Sequence, residues 1–215
     1  MSVNILISGP IRPSEDSVLE VIHSIRTQIP RARIFLATWT ESQRIRDSVD
    51  VYQSVPEPTD SEVLSIVYAR TIQQQELGLS DELPGCKIST YKMLYGVRKV
   101  CELTRPYLSD SDKVIRLRTD SMFAFEPEYL ATLLQSDEYV AKKGDGFDWF
   151  AITTFGVFKQ AWCFANLDEY NDRVSRSWNP EDVVLGRVPI PIRYLDPTKV
   201  DCYILREGGR KHYYK

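Results

Sequence analysis

The opening 38 residues limit the fold more than any other stretch of this chain. Val3 to Ser8 is a short, β-rich apolar run closing on Gly9-Pro10, and it reads as a buried strand meeting a turn. Ser14 to Gln28 follows with helical periodicity. Ser14 is placed to cap it, Glu15 and Asp16 suit the positive end of the helix dipole, and Val18, Ile22, Ile25 and Ile29 fall on one face. Pro30 ends the helix, and Arg33 to Thr38 (RIFLAT) is a second strand leading into Trp39-Thr40-Glu41. Two strands joined through an amphipathic helix are parallel neighbours, because a hairpin needs no such crossover. The opening therefore predicts an α/β domain with a mostly parallel central sheet flanked by helices.

The remainder continues the alternation. Asp50 to Val55 reads as a strand, Pro56 to Asp60 as a loop, and Asp60 to Leu77 as a helix of weaker apolar pattern. Ser89 to Leu103 is a stronger helix, with Met93, Val97 and Val100 on one stripe and Leu94 and Cys101 beside it. Lys113 to Arg118 (KVIRLR) is the most strand-like segment after the first. Helices are predicted over Pro127–Gln135, Phe158–Tyr170 and Pro180–Gly186, and strands over Glu138–Ala141, Asp148–Thr154, Ile190–Leu195 and Asp201–Leu205. No repeat, low-complexity tract or linker divides the chain, and 215 residues suit one large domain, so 1–215 is read as a single unit.

Charge and motif content exclude several classes. Lys and Arg total 27 against 30 Asp and Glu, a balance that argues against a general nucleic-acid binder but leaves room for a local basic pocket. No apolar run approaches the roughly 20 residues of a membrane span. The N-terminus lacks the basic and long apolar regions of a signal peptide, so the expected location is cytoplasmic. The 4 cysteines, Cys86, Cys101, Cys163 and Cys202, form no CxxC pair, and the 2 histidines are His23 and His212. Reduced thiols are expected, not a zinc domain or a disulfide framework. His23, beside Arg26 on the polar side of the first helix, reads as exposed. The phosphate-loop, dinucleotide and nucleophile-elbow patterns are all absent; Gly144-Asp145-Gly146 and Gly208-Gly209 are too short to replace them.

The chemistry concentrates in Val114-Ile115-Arg116-Leu117-Arg118-Thr119-Asp120. Strand alternation sends Arg116, Arg118 and Asp120 to one side and Ile115 and Leu117 to the other. Arginines inside an apolar strand are costly to bury unless they meet anions. Ligands of open α/β sheets bind beyond the carboxyl ends of the strands, where Arg118-Thr119-Asp120 falls. Two readings follow: a site where an arginine meets phosphate and a carboxylate holds a divalent cation, or an internal Arg–Asp ion pair with no ligand.

The strand running into Arg118-Thr119-Asp120 resembles the Asp-x-Asp region of GT-A glycosyltransferases, especially viral and bacterial families with an RxRxD motif. SGPIR at 8–12, ATWT at 37–40, Asn179-Pro180-Glu181-Asp182 and the late His212 fit the same layout. More specifically, the chain resembles the N-terminal domain of the multidomain enzymes with which chloroviruses glycosylate their capsid protein. That resemblance spans essentially the whole chain, each motif in it being short. It implies a GT-A-like (Rossmann-like) domain, a UDP-sugar donor, a hexose or deoxyhexose for transfer and a glycan or glycoprotein acceptor. It further implies a viral enzyme of the host cytoplasm and further domains on a longer chain.

Residue roles follow from the two lines together. Ser8, Gly9, Pro10 and Arg12 leave the first strand and can approach the donor, although an ordinary Gly-Pro turn with a surface arginine would read the same. Thr38 and Trp39 border the same crevice, with Trp39 either stacking on a base or capping the core. Arg118 and Thr119 are donor-binding candidates, and Lys92 and Lys211 supplementary phosphate ligands. The resemblance implies Asp120 and His212 as ligands of Mn²⁺ or Mg²⁺, with Arg118 standing where the family pattern has its first Asp, a departure that weakens metal dependence. His212 otherwise sits in a basic, solvated tail. Asp148, Glu181 and Asp182 are candidates for acceptor binding or for the base that takes the acceptor proton, although acids also favour a helix start after Pro180. Trp149 and Trp178 offer flat faces to sugar, or belong to the core. The rival readings are a non-catalytic glycan-binding domain and a sugar-phosphate nucleotidyltransferase.

Overall fold

The strand–helix–strand opening forms as its pattern predicts. A computed structural model describes residues 3–63, 85–142, 150–163, 184–206 and 211–213. In it β1 (Asn4–Ser8) and β2 (Arg33–Thr38) are parallel neighbours joined through α1 (Glu15–Gln28). The Ser14 hydroxyl accepts from the Ser17 N–H at 3.2 Å, satisfying one of the orphan donors of the first turn. A short α2 (Gln43–Arg46) leads to β3 (Val51–Ser54), also parallel to β2.

The chain then reverses direction across the sheet. From α3 (Gly85–Thr104) it returns to β4 (Lys113–Arg118), which lies on the other side of β1 and parallel to it. Beyond β4 come β7 (Phe150–Thr154), β6 (Tyr139–Ala141) and β8 (Ile192–Tyr194), giving the order β3-β2-β1-β4-β7-β6-β8. The β4–β7 and β7–β6 pairs are antiparallel and β6–β8 is parallel, so the sheet is mixed but mostly parallel. Between α4 (Pro127–Gln135) and α5 (Phe155–Trp162) the helices cover both faces.

Alternation along the strands sorts two apolar layers. Ile5, Ile7, Ile34, Leu36, Ile115 and Leu117 pack with Val18, Ile22 and Ile25 of α1 and Leu133 of α4. Leu6, Phe35, Ala37 and Val114 pack with Val97 and Val100 of α3 and Phe155 and Phe158 of α5. Each fully buried Ile, Leu or Phe contributes about 1.5–3 kcal/mol relative to exposure, so this two-faced burial is the main support of the layers.

Sequence pattern and structure differ at three places. Helix α5 begins at Phe155, directly after β7, where the pattern places a loop until Phe158; its first N–H groups are satisfied by the turn before β4, Phe155 donating to the Asp112 carbonyl (2.8 Å) and Gly156 to that of Asp110 (2.9 Å). A side chain at Gly156 would put its Cβ 3.1 Å from the Asp110 Cβ, a tight contact that glycine avoids. Ser121–Phe125 forms an unpredicted strand, β5, which pairs with β9 (Val200–Leu205) in a second, three-stranded antiparallel sheet completed by β10 (Lys211–Tyr213). The basic C-terminal segment is thus a paired strand over Lys211–Tyr213, not a frayed tail. The helices expected over Asp60–Leu77, Phe158–Tyr170 and Pro180–Gly186 lie partly outside the described residues, with 60–63 helical. Cys101, Cys163 and Cys202 are free thiols, and His23 is exposed.

Candidate functional site

The reversal of strand order falls between β1 and β4, and crevices at such points are where α/β sheets take ligands. At the carboxyl end of β1, Gly9 has φ 136°, a left-handed conformation that favours glycine. Its N–H donates to the Ala37 carbonyl at 3.2 Å. A Cβ there would lie 3.3 Å from the Thr119 hydroxyl, which itself donates to the Pro10 carbonyl at 2.6 Å. The Gly-Pro turn is therefore clamped onto the end of β4.

This clamp borders a cavity of about 490 Å³. Ser8, Gly9, Pro10, Arg12 and Trp39 line it from β1 and β2; Arg116, Arg118 and Thr119 from β4; Ser89, Thr90, Lys92 and Met93 from α3; and Arg206 from the end of β9. Eight residues singled out in sequence meet here: Ser8, Gly9, Pro10, Arg12, Trp39, Lys92, Arg118 and Thr119. Thr38 does not line it. Its side chain is buried beneath, where the hydroxyl donates to the Thr40 carbonyl at 2.8 Å and meets the Tyr52 hydroxyl at 2.9 Å, shaping the turn that carries Trp39.

Asp120 is fully buried under the cavity and is its electrostatic centre. Arg118 grips both carboxylate oxygens, Nε to Oδ1 at 3.0 Å and an outer nitrogen to Oδ2 at 2.9 Å. Arg12 Nε adds a third contact to Oδ2 at 3.0 Å. The predicted co-facing of Arg118 and Asp120 is thus a bidentate pair, the strong form of such contacts. Burial pushes the Arg12 guanidinium below its ordinary range; Asp120 pulls it back up, while neighbouring Arg118 and Arg206 push it further down. Arg12 therefore shares Asp120 with Arg118 and also lies in the field of Arg206. Arg116 is buried on the same face, with its guanidinium 5.0 Å from the Trp162 ring centre.

Lys92 is differently placed. Its ammonium meets Glu57 at 2.7 Å and Asp60 at 2.6 Å, and the hydrogen bonds it donates to these acids, that to Asp60 foremost, raise its pKa. Trp39 presents a buried indole N–H with no hydrogen-bond partner among the described residues. Gly96 of α3 comes close by, and a Cβ there would lie 3.8 Å from that nitrogen.

The cation ligand set implied by the family resemblance does not fit the described residues. Asp120 has both oxygens engaged by guanidinium groups, and no group of three His, Cys, Asp or Glu side chains comes together among the described residues. Backbone pairing puts His212 opposite Ile204 and Ile204 opposite Ser121, about 10 Å across two strands from the residue after Asp120. The side chains of His212 and Lys211 lie outside the described residues, as do Asp148, Trp149, Trp178, Glu181 and Asp182.

Sequence reasoning missed Arg206, Ser89 and Thr90, and took Met93 for core. Arg206 arrives through the second sheet: Leu205 N–H donates to the Asp120 carbonyl at 2.9 Å, bringing the next residue to the end of β4. Only the pairing of β5 with β9 carries that information, and no local pattern reports it.

No protein-family model and no curated protein matches the chain. Among solved structures, an active-site mutant of LgtC is similar to it at 14 % identity and a TM-score of 0.46, over 92 % of this chain and 73 % of that one. The apo form of mouse xyloside xylosyltransferase 1 is similar at 6 % identity and a TM-score of 0.44, over 92 % of this chain and 86 % of that one. Scores at this level carry no argument about the site or its chemistry.

Proposed function

We propose that the chain is a GT-A-type glycosyltransferase that moves a hexose or deoxyhexose from a UDP-sugar to a glycan or glycoprotein acceptor. The observation that carries this reading is the cavity at the β1/β4 reversal: among the described residues four arginines and a lysine line it, and no carboxylate does. Such a wall fits a ligand with concentrated negative charge. The volume of about 490 Å³ is in the range of sites for nucleotide-sized molecules. The family resemblance supplies the rest of the proposal: uridine, the sugar, the capsid glycan, the host cytoplasm and further domains.

In the transfer, an acceptor hydroxyl oxygen forms a bond to the anomeric carbon. The bond from that carbon to the diphosphate oxygen breaks, and its electron pair leaves with UDP. Negative charge grows on the diphosphate as this bond lengthens, and donors aimed at it lower the barrier. Arg118 and Arg12 sit at the strand ends where these oxygens would lie, and Trp39 offers a ring face and an N–H to the base. The hydroxyl proton passes to a carboxylate, for which Asp148, Glu181 and Asp182 are the candidates.

Thermal unfolding with UDP, GDP and ADP tests the reading. UDP at about 100 times its dissociation constant should stabilise the fold by roughly 2.7 kcal/mol, with GDP and ADP doing less. Turnover of UDP-sugars should then release UDP. Release of pyrophosphate from a nucleoside triphosphate would instead favour a nucleotidyltransferase, and no shift with any nucleotide would favour a glycan-binding domain.

A further inference from the structure

We infer that buried Asp120 is a positioning residue, which tethers the Arg12 guanidinium so that its outer nitrogens meet phosphate oxygens of the donor. The inference rests on the glycosyltransferase reading and deepens it, giving the carboxylate beneath the cavity a task that needs no contact with the ligand.

The carboxylate is itself held before it holds anything else. Asp120 is 1 % exposed at its side chain, and Arg118 gives each of its oxygens a donor, at 3.0 and 2.9 Å. Its main chain is pinned as well, the carbonyl accepting from the Leu205 N–H at 2.9 Å. Arg118 alone supplies a donor to both oxygens, so the further contact from Arg12, Nε to Oδ2 at 3.0 Å, does more for the arginine than for the acid.

Arg12 is a group of the opposite kind. Its side chain is 46 % exposed and lines the cavity. Among the described residues it pairs with Asp120 alone, so no second acid takes up the outer nitrogens of the fork. A guanidinium is planar and rigid, and a contact at Nε therefore sets the plane in which the outer pair lies. Such a pair matches two phosphate oxygens at once. An untethered arginine loses much rotamer freedom on binding, and the tether removes part of that loss beforehand. The backbone is held from the same place: the Thr119 hydroxyl donates to the Pro10 carbonyl at 2.6 Å, two residues before Arg12, and Gly9 takes the φ of 136° that this turn requires. Neighbouring residues 119 and 120 thus fix, respectively, the chain that carries Arg12 and the side chain itself.

Calorimetric titration with UDP, and with uridine as its phosphate-free competitor, tests this directly. Arg12→Gln should weaken UDP by about tenfold and change uridine by less than about twofold. Asp120→Asn keeps the shape of the side chain without its charge, and should likewise weaken UDP by about tenfold and spare uridine. The same substitution made in Arg12→Gln should cost no more than about threefold, because Asp120 acts through Arg12. Arg12→Lys tests the point without touching the buried carboxylate. It keeps the charge and lacks the fork, so it should unfold at the wild-type temperature and recover no more than about threefold of the loss. A larger cost of Asp120→Asn in Arg12→Gln, an Asp120→Asn protein that binds UDP like the wild type, or full recovery in Arg12→Lys would overturn the inference and leave the glycosyltransferase reading standing. An absence of UDP binding by the wild type would overturn that reading and the inference with it.

Discussion

The two cationic parts of the cavity wall are built on opposite terms. On the α3 side, Lys92 is held by two carboxylates at 2.6 and 2.7 Å, from the loop after β3 and the helical turn that follows it, and both are substantially exposed. On the β4 side, Arg118 and Arg12 share one carboxylate that is almost completely buried, and Arg206 adds its charge to theirs. In the first region two acids hold one cation; in the second two cations share one acid. Exposed pairs of the first kind contribute little to stability, while a buried partner of the second kind costs several kcal/mol to remove. The contrast separates a charge that fastens two surface elements from charges held ready for an anion.

Removing the shared carboxylate should break this contrast most severely. Asp120→Ala leaves Arg118 without its bidentate partner, at a side chain only 15 % exposed. A loss of about 3–5 kcal/mol is expected, visible in urea denaturation and as a fall of roughly 10 °C in unfolding temperature. A change below about 1 kcal/mol would mean that the arginines do not depend on Asp120. Next comes the clamp that aims Arg12. Gly9→Ala forces an unfavoured φ of 136° and a contact of 3.3 Å with Thr119, and should cost about 1–3 kcal/mol by the same assay.

Tyr139 supports the buried Arg116–Trp162 layer behind the wall, its hydroxyl accepting from the Trp162 N–H at 2.8 Å. Tyr139→Phe leaves that N–H unsatisfied, for about 1–2 kcal/mol. Burial raises the Tyr139 pKa above the ordinary value of 10.0, so the folded state keeps a proton that the unfolded chain loses. Its contribution is therefore whole below about pH 10 and declines as the pH rises further, the slope disappearing in Tyr139→Phe. The smallest effect belongs to Lys92→Met, under about 1 kcal/mol in stability and a weaker loss of UDP binding than Arg12→Gln. A larger loss than that of Arg12→Gln would reverse the roles of the two regions.

Much of this was legible in the sequence because it is local. Strand period alone put Arg118 beside Asp120, the Ser14 cap located α1, and the carboxyl-end rule gathered Ser8–Arg12, Trp39 and Arg118 at one crevice. What stayed hidden depends on pairing between distant segments. Arg206 reaches the site only because β9 pairs with β5, and β5 follows a two-residue turn after a strand that seemed complete at Arg118. Thr38 was placed at the crevice by its strand end, but its hydroxyl turns inward to Tyr52, a contact fixed by the β2–β3 register. The choice between ion pair and ligand site at Arg118 could not come from spacing either. The structure contains the ion pair, and Arg12 on the same carboxylate supports an anion site.

The central claim is that the arginine side of this cavity holds a nucleoside diphosphate. A crystal structure of the protein with UDP tests it most directly. The account predicts phosphate oxygens within hydrogen-bond distance of Arg12 and Arg118, with both still paired to Asp120. Density for UDP away from these arginines, or a diphosphate seated beside Lys92 alone, would contradict it.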